Sequence, residues 1–321
     1  MTRSLIGEEL LGILGDPKKQ GQLFEGLCLR ETTQRAIASS LMASHNLLLL
    51  GPPGSGKTQL SKNLSAILQP LLVIRGCPTN CIEDEMPCPW CAASPTKPHS
   101  RIERTGPERL IRIVGNGSLQ WEDLMGDLDP VQGIHLGTSN IRSFAPGKLL
   151  RANRGVLLLD QVESIPQRTL NTLLQTLEEG VVRLGFREEP LPLDLLVIGT
   201  GSLNALGRLS FNLLDHFDFV QLDYPRTPAE RKDTLTQSIR TAGAGVSSDD
   251  QTNLRSDALT DLTNQVLELA DQISEHPEVK RGISPRGTLR CLELLQTFPQ
   301  IEERDAPNFE DFCQAALLSF P

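Results

Sequence analysis

The chain has 321 residues, with a hydrophobic fraction of 39%, a charged fraction of 22% and a formal net charge of −9. This is enough for a large domain and a smaller one, each with its own core, at the composition of a soluble globular protein. Net acidity argues against a general nucleic-acid binder, and no apolar run approaches the roughly 20 residues a membrane helix needs. The N-terminal stretch MTRSLIGEELLGILG carries Glu8 and Glu9 where a secretory signal would be apolar, so a cytoplasmic protein is the expectation.

In chain order, residues 1–45 read as helical and carry no catalytic motif. NLLLLGPPGSGKTQLSKNLSAIL, from Asn46, reads as strand, glycine-rich loop and helix. LLVIR (71–75) is a second short apolar strand, followed by a stretch from Gly76 to Gly106 rich in Pro, Cys and charge. IRIV (111–114) and VLLL (156–159) are further strands. Leu170, Leu173, Leu174 and Leu177 then recur at helical spacing, with Pro166 suited to a helix start and Gly180 to a helix end. VVRLGF (181–186) and DLLVIGT (194–200) read as strands joined by a polar turn, and DFVQL (218–222) as the last strand. Alternation of strands with helices predicts an α/β fold with a mostly parallel sheet covered on both faces. Beyond Pro225 the composition shifts. Leu259, Leu262, Val266, Leu269 and Ile273 form a helical stripe, SPRGTLRCLELLQTF (284–298) a second, and AGAGVSSDDQTN (242–253) reads as a loop. The predicted organisation is a helical segment (1–45), a nucleotide-binding core (46–224) with a cysteine-rich insert (76–106), and a helical domain (225–321).

GPPGSGKT fits G-x-x-x-x-G-K-[ST], with Gly51, Pro52, Pro53, Gly54, Ser55, Gly56, Lys57 and Thr58 as phosphate-loop residues. The preceding strand and following helix supply the context this motif requires. Glycines let backbone N–H groups turn onto phosphate oxygens. Lys57 offers a cation to the β- and γ-phosphates, Thr58 a hydroxyl to Mg²⁺, and the helix its N-terminal dipole. Asp160 closes an apolar strand, where a Walker-B carboxylate holds the magnesium shell; the alternative is a helix-capping acid.

Of seven cysteines, Cys28, Cys291 and Cys313 are scattered, while Cys77, Cys81, Cys88 and Cys91 fall in CPTNCIEDEMPCPWC. An odd count in a reducing compartment does not suggest a disulfide framework. Two close pairs suit one tetrahedral metal held by four thiolates, and a loop this polar would draw its folding energy from a structural Zn²⁺. Free cysteines and an iron–sulfur cluster are the alternatives. Trp90 is expected to pack over the cluster, and His99 to be an exposed histidine.

The order of these motifs resembles AAA+ ATPases of the MoxR and magnesium-chelatase I-subunit branch. FAPGKLLRANRGVLLLD (144–160), EEGVVRLGFREEPLPLDLLVIGTGS (178–202), NLLDHFDF (212–219), GISPRGTLR (282–290) and LQWEDLMGDLDP (119–130) carry the resemblance. It implies a P-loop core with a helix-2 insert and a hairpin before the sensor-1 strand, and a helical lid with ATP between core and lid. It also implies a ring, hexameric in the usual case, that remodels other proteins, often with a partner bearing a von Willebrand factor A domain. It assigns Gly51 to Thr58 to Walker A, Asp160 to the Walker-B acid and Arg286 to the sensor-2 arginine.

Three positions depart from the family pattern. Gln161 stands where the family has the glutamate that polarises water, Ser202 near the sensor-1 asparagine with Asn204 close by, and His216 where an arginine finger is usual. Arg208 and Arg226 are substitutes for the finger. An amide at 161 preserves the shape of the site but is no general base. It is either natural, marking a slow ATPase, or a near-isosteric replacement that traps the ATP state, the reading favoured by the intact remainder of the site. Glu163, two residues on, is expected to be a solvated helix-start acid. The leading reading is therefore an ATP-driven remodelling protein slowed at Gln161. A nucleotide-gated scaffold and the ATPase subunit of a metal chelatase are the rivals.

Overall fold

The computed structural model describes residues 4–27, 29–82, 87–93, 100–184, 189–205, 207–224, 263–270, 272, 285–301, 307 and 309–319. In chain order the first unit contains α1 (Leu5–Leu14), α2 (Pro17–Leu23), α3 (Glu31–Met42), β1 (Asn46–Leu50), α4 (Lys57–Ile67), β2 (Leu71–Ile74), α5 (Pro89–Ala92), β3 (Arg101–Arg104) and β4 (Leu110–Val114). It continues with α6 (Trp121–Met125), β5 (Gly126–Leu128), α7 (Pro130–Leu136), β6 (Phe144–Pro146), α8 (Lys148–Arg151), β7 (Val156–Asp160) and α9 (Gln167–Glu179). The last elements of this unit are β8 (Val181–Val182), β9 (Leu191–Pro192), β10 (Leu196–Gly201), α10 (Phe211–Asp215) and β11 (Phe217–Gln221).

Five strands make one sheet in the order β11-β1-β10-β7-β4, and every pairing in it is parallel. The strands most deeply inside, β1, β7 and β10, are nearly continuous apolar runs because both faces of a parallel sheet are covered. Leu48, Leu50, Leu157, Leu159 and Val197 join Leu149 and Leu150 of α8 and Leu170, Leu173 and Leu174 of α9 in one core cluster. Helix α9 runs from the turn after Pro166 to Gly180, which takes a left-handed φ of 62° and ends it. The predicted α/β fold with a parallel sheet flanked by helices is the fold observed.

The structure corrects the place of LLVIR. Strand β2 is not in the main sheet; it pairs antiparallel with β3, Leu71 opposite Arg104 and Ile74 opposite Arg101. The cysteine-rich stretch between them returns the chain alongside β2, so this pair forms the stem of the insert. The hairpin ahead of β10 is present: β8 pairs antiparallel with β9, Val181 opposite Pro192 and Val182 opposite Leu191, while Gly185 and Phe186 of VVRLGF lie outside the described residues.

The second unit comprises Glu25–Arg30, Pro52–Gly56 and Leu222–Pro321. Its described C-terminal residues are helical, at 263–270, Pro285–Ile301 and Phe309–Ser319. Val266, Leu267, Cys291, Leu292, Leu295 and Ala315 form its core. The 242–253 loop lies outside the described residues. Among the described residues, no helix is long and apolar enough to cross a membrane.

Candidate functional site

The phosphate loop connects β1 to α4. Gly54 and Gly56 take φ values of 83° and 88°, a left-handed backbone that side chains with a Cβ rarely adopt. Within the second unit the Tyr224 hydroxyl donates to the Pro53 carbonyl at 2.6 Å. Lys57, the first residue of α4, donates from Nζ to the Gly51 carbonyl at 2.8 Å. The Thr58 hydroxyl, half-buried in the same turn, has no hydrogen-bond partner among the described residues.

Parallel pairing brings the C-terminal ends of β4, β7 and β10 side by side, and Asp160 closes β7 there. The Thr200 hydroxyl on β10 donates to Asp160 Oδ1 at 2.5 Å. Arg112, on β4, donates through Nε at 3.1 Å and through Nη2 to Asp160 Oδ2. Burial alone would raise the Asp160 pKa. The hydrogen bonds from Thr200 and Arg112 and the charges of Arg112 and Lys57 outweigh it, so the carboxyl lies below its ordinary range. Gly115, just past β4, donates its N–H to the Asp160 carbonyl at 2.7 Å. A Cβ at Gly115 would fall 2.2 Å from the Gln161 carbonyl oxygen, which leaves room for nothing larger than glycine.

Gln161 takes a left-handed φ of 58° and is exposed. Its side chain has no hydrogen-bond partner among the described residues. Glu163 differs from its expectation: it is half-buried and not a solvated helix-start acid. Its Oε1 accepts the Ser202 N–H at 2.9 Å, which places it beside the end of β10. Its Oε2 is buried with no hydrogen-bond partner among the described residues. The short turn Val162–Ser164 that follows β7 folds this side chain back toward the sheet.

The other sequence-predicted residues are more dispersed. Asn204 and Arg208 are exposed. His216 pairs with Glu178 at 2.6 Å. Arg286 lies in the first turn of the helix Pro285–Ile301, and its side chain, like Arg226, His99 and Cys28, falls outside the described residues.

Cys77, Cys81, Cys88 and Cys91 do converge, with their sulfur atoms all within 4.8 Å of one another. Three are buried and Cys88 partly so. Cys77 and Cys88 sulfurs stand 3.6 Å apart, too far for a disulfide at about 2.05 Å. The Cys77 thiol is pulled down by its hydrogen bond with Cys81, ahead of that with Cys88. Cys88 is pushed up by its hydrogen bond to Cys77. Cys91 is pushed up to about 12, first by burial and then by the Cys77 charge. Trp90 packs on the main core, 6.3 Å from Phe144 between ring centroids.

The knuckle is fixed to the core by an asparagine clasp. Asn80, buried with a φ of 54°, donates to the Arg151 and Asn153 carbonyls at 3.1 and 2.8 Å. Asn153 donates to the Thr79 carbonyl at 2.8 Å, and its Oδ1 accepts the Asp194 N–H at 2.7 Å. Sequence reading passed over this clasp, together with Thr200 and Arg112. The signal for Arg112 was present as a charge inside the apolar strand IRIV.

Residues 46–217 match the AAA domain of the dynein-related subfamily. The chain belongs to that family. The chain is 30% identical over 196 residues to the magnesium-chelatase 38 kDa subunit of Cereibacter sphaeroides, covering 60% of this chain and 55% of that one. It is 27% identical over 225 residues to the uncharacterized protein YifB of Salmonella typhimurium, covering 62% and 38%. The chain therefore spans 55% or less of the length of these relatives. Such relatives put the AAA domain in the magnesium-chelatase-like branch. A chain of the magnesium chelatase complex between subunits BchI and BchD superposes with a TM-score of 0.52 at 20% identity, over 88% of this chain and 91% of that one. This likeness is one of fold.

Proposed function

We propose that this AAA domain binds ATP with Mg²⁺, assembles into a homo-oligomeric ring of hexameric type, and acts on a protein partner in the cytoplasm in the manner of MoxR and chelatase proteins. The observation that carries this reading is the strand-end cluster. Asp160 is held by Thr200 and Arg112 and lies within reach of the charge of Lys57, the lysine of the phosphate-loop motif. Gly51 to Thr58 would wrap the phosphates, and Lys57 would leave the Gly51 carbonyl to meet them. Thr58 and Asp160 are hard oxygen donors, which suits Mg²⁺. When bound, the metal would neutralise phosphate charge. Ser202 and Arg286 are the proposed γ-phosphate contacts.

Gln161 would slow hydrolysis, because an amide cannot take a proton from water. A nucleotide-gated scaffold is the second reading, and Gln161, whose exposed side chain has no hydrogen-bond partner among the described residues, favours it. The 38 kDa chelatase subunit among the relatives supports a third, the ATPase subunit of a metal chelatase. A partner with a von Willebrand factor A domain fits the branch.

The four cysteines would hold a structural Zn²⁺. A tetrahedron with Zn–S bonds of about 2.3 Å has edges of about 3.8 Å, and the observed 3.6 Å between Cys77 and Cys88 sulfurs fits it. Four thiolates also suit an iron–sulfur cluster, which metal analysis would distinguish.

Calorimetric titration tests the core of this reading. Lys57→Ala should abolish tight ATP–Mg²⁺ binding by removing the cation at the β- and γ-phosphates. Unchanged affinity would remove its basis.

A further inference from the structure

Most of the acceptor capacity of Asp160 is taken up within the chain. Thr200 occupies Oδ1, and two N–H groups of one guanidinium converge on Oδ2. An ionised carboxylate has about four lone-pair sites, so three are taken. The register explains how. Arg112 stands opposite Leu158 and Val114 opposite Asp160, so Arg112 and Asp160 share a face of the sheet. Strand β4 ends the sheet order, which leaves Arg112 at an open edge.

The two partners differ in what they lose on separation. The Asp160 side chain is 14% exposed and that of Arg112 52%. A half-exposed guanidinium can swing into water at small cost. A mostly buried carboxylate left without a counter-ion is expensive. Asp160 therefore exchanges one cation for another more readily than it stands alone.

We propose that Arg112 is a positioning residue that holds Asp160 in the metal-free chain and competes with Mg²⁺ for it. The proposal rests on the reading of Asp160 as the metal-side carboxylate of a nucleotide site. Magnesium binds through few carboxylates and keeps several waters, and those waters need acceptor sites that Arg112 now fills. Entry of the metal displaces the guanidinium toward solvent. Part of the affinity that Mg²⁺ adds to nucleotide binding is spent on that displacement. A ligand shifts such an equilibrium only by its preference for one state, so the effect shows in the ratio of affinities with and without metal.

The test measures ADP affinity by calorimetry, with saturating Mg²⁺ and with excess EDTA, in the full chain and in Arg112→Ala and Arg112→Gln. ADP keeps turnover out of the readout. Both variants should raise the ratio of metal-bound to metal-free affinity, on the order of five-fold, with a single cooperative unfolding transition retained by at least one of them as the folding control. A ratio that stays the same or falls overturns the proposal, since Arg112 then either ignores the metal or assists it. Asp160→Asn supplies the separate check. It should bring the ratio close to one whether or not Arg112 is present. If Asp160→Asn leaves the magnesium effect intact, the metal reading of Asp160 fails and the proposal with it. An unchanged ratio in the Arg112 variants alone overturns only the competition.

Discussion

At Asp160, burial pushes one way, and the Thr200 and Arg112 hydrogen bonds push the other and win. A folded-state pKa below the unfolded value gives stability that is present above the ordinary aspartate pKa of about 3.9 and is lost as pH falls through the lower folded value. The melting-temperature gap between the unaltered chain and Asp160→Asn should thus be full at about pH 6 and shrink toward about pH 3. A gap that does not change with pH would mean that Asp160 contributes through shape and not charge. Gln161 and Glu163 pose the sharper question. The sequence places an amide where water would be activated, and periodicity could not show that Glu163 folds back onto the Ser202 N–H. Loss of a general base typically costs about 10²–10⁴-fold in rate. Gln161→Glu should accordingly raise ATP turnover at least about ten-fold with little change in affinity. If the rate stays flat while Glu163→Gln destroys activity, Glu163 is the working acid. Asp160 and the phosphate loop were legible because motif and context agree within one short stretch. Thr200 and Arg112 were not, because their importance comes from strands that neighbour β7 only after folding.

Strands β2 and β4 show the same limit for whole elements. Both are short apolar runs, and nothing in LLVIR says whether it joins the five-stranded sheet or a hairpin. The decision lies in the stretch that follows, where the cysteines turn the chain back and β3 takes the free edge of β2. The four-cysteine spacing was legible as one cluster, but its seat was not. Asn80 and Asn153 lie 73 residues apart and meet only in the fold. Their clasp predicts two separable effects. Cys88→Ser should release about one metal ion per chain, read by elemental analysis. Metal-free protein from a preparation never exposed to chelator would leave the cysteines as structural thiols. Asn153→Ala should keep the metal and still destabilise the domain by about 2–4 kcal/mol, because it strands the Thr79 carbonyl and the Asp194 N–H in the interior. Denaturant unfolding of the metal-loaded variant measures it. A cost near zero would mean that water replaces the clasp.

The whole molecule is where sequence and fold say least, since a ring is a property of several chains. A closed ring of more than two chains requires two different surfaces of one chain to meet in rotation, and a charge of −9 on every copy opposes their approach. In the proposed ring, a ligand that favours the associated state would offset that repulsion. In the proposed reading that ligand is ATP, which Lys57 holds by its phosphates. As it stands, with Gln161 in place of an acid, the chain should bind ATP, keep it and remain assembled. Light scattering with ATP and Mg²⁺ should show a mass several times that of one chain, falling back when nucleotide is removed. Lys57→Ala should stay small under both conditions. Gln161→Glu should assemble at first and then disperse as ATP is consumed, at a rate set by turnover. If Lys57→Ala assembles as fully as the unaltered chain, association does not depend on nucleotide and the gated-ring reading is lost. If the unaltered chain stays assembled while Gln161→Glu remains assembled and inert, the protein is a nucleotide-bound scaffold and not a motor.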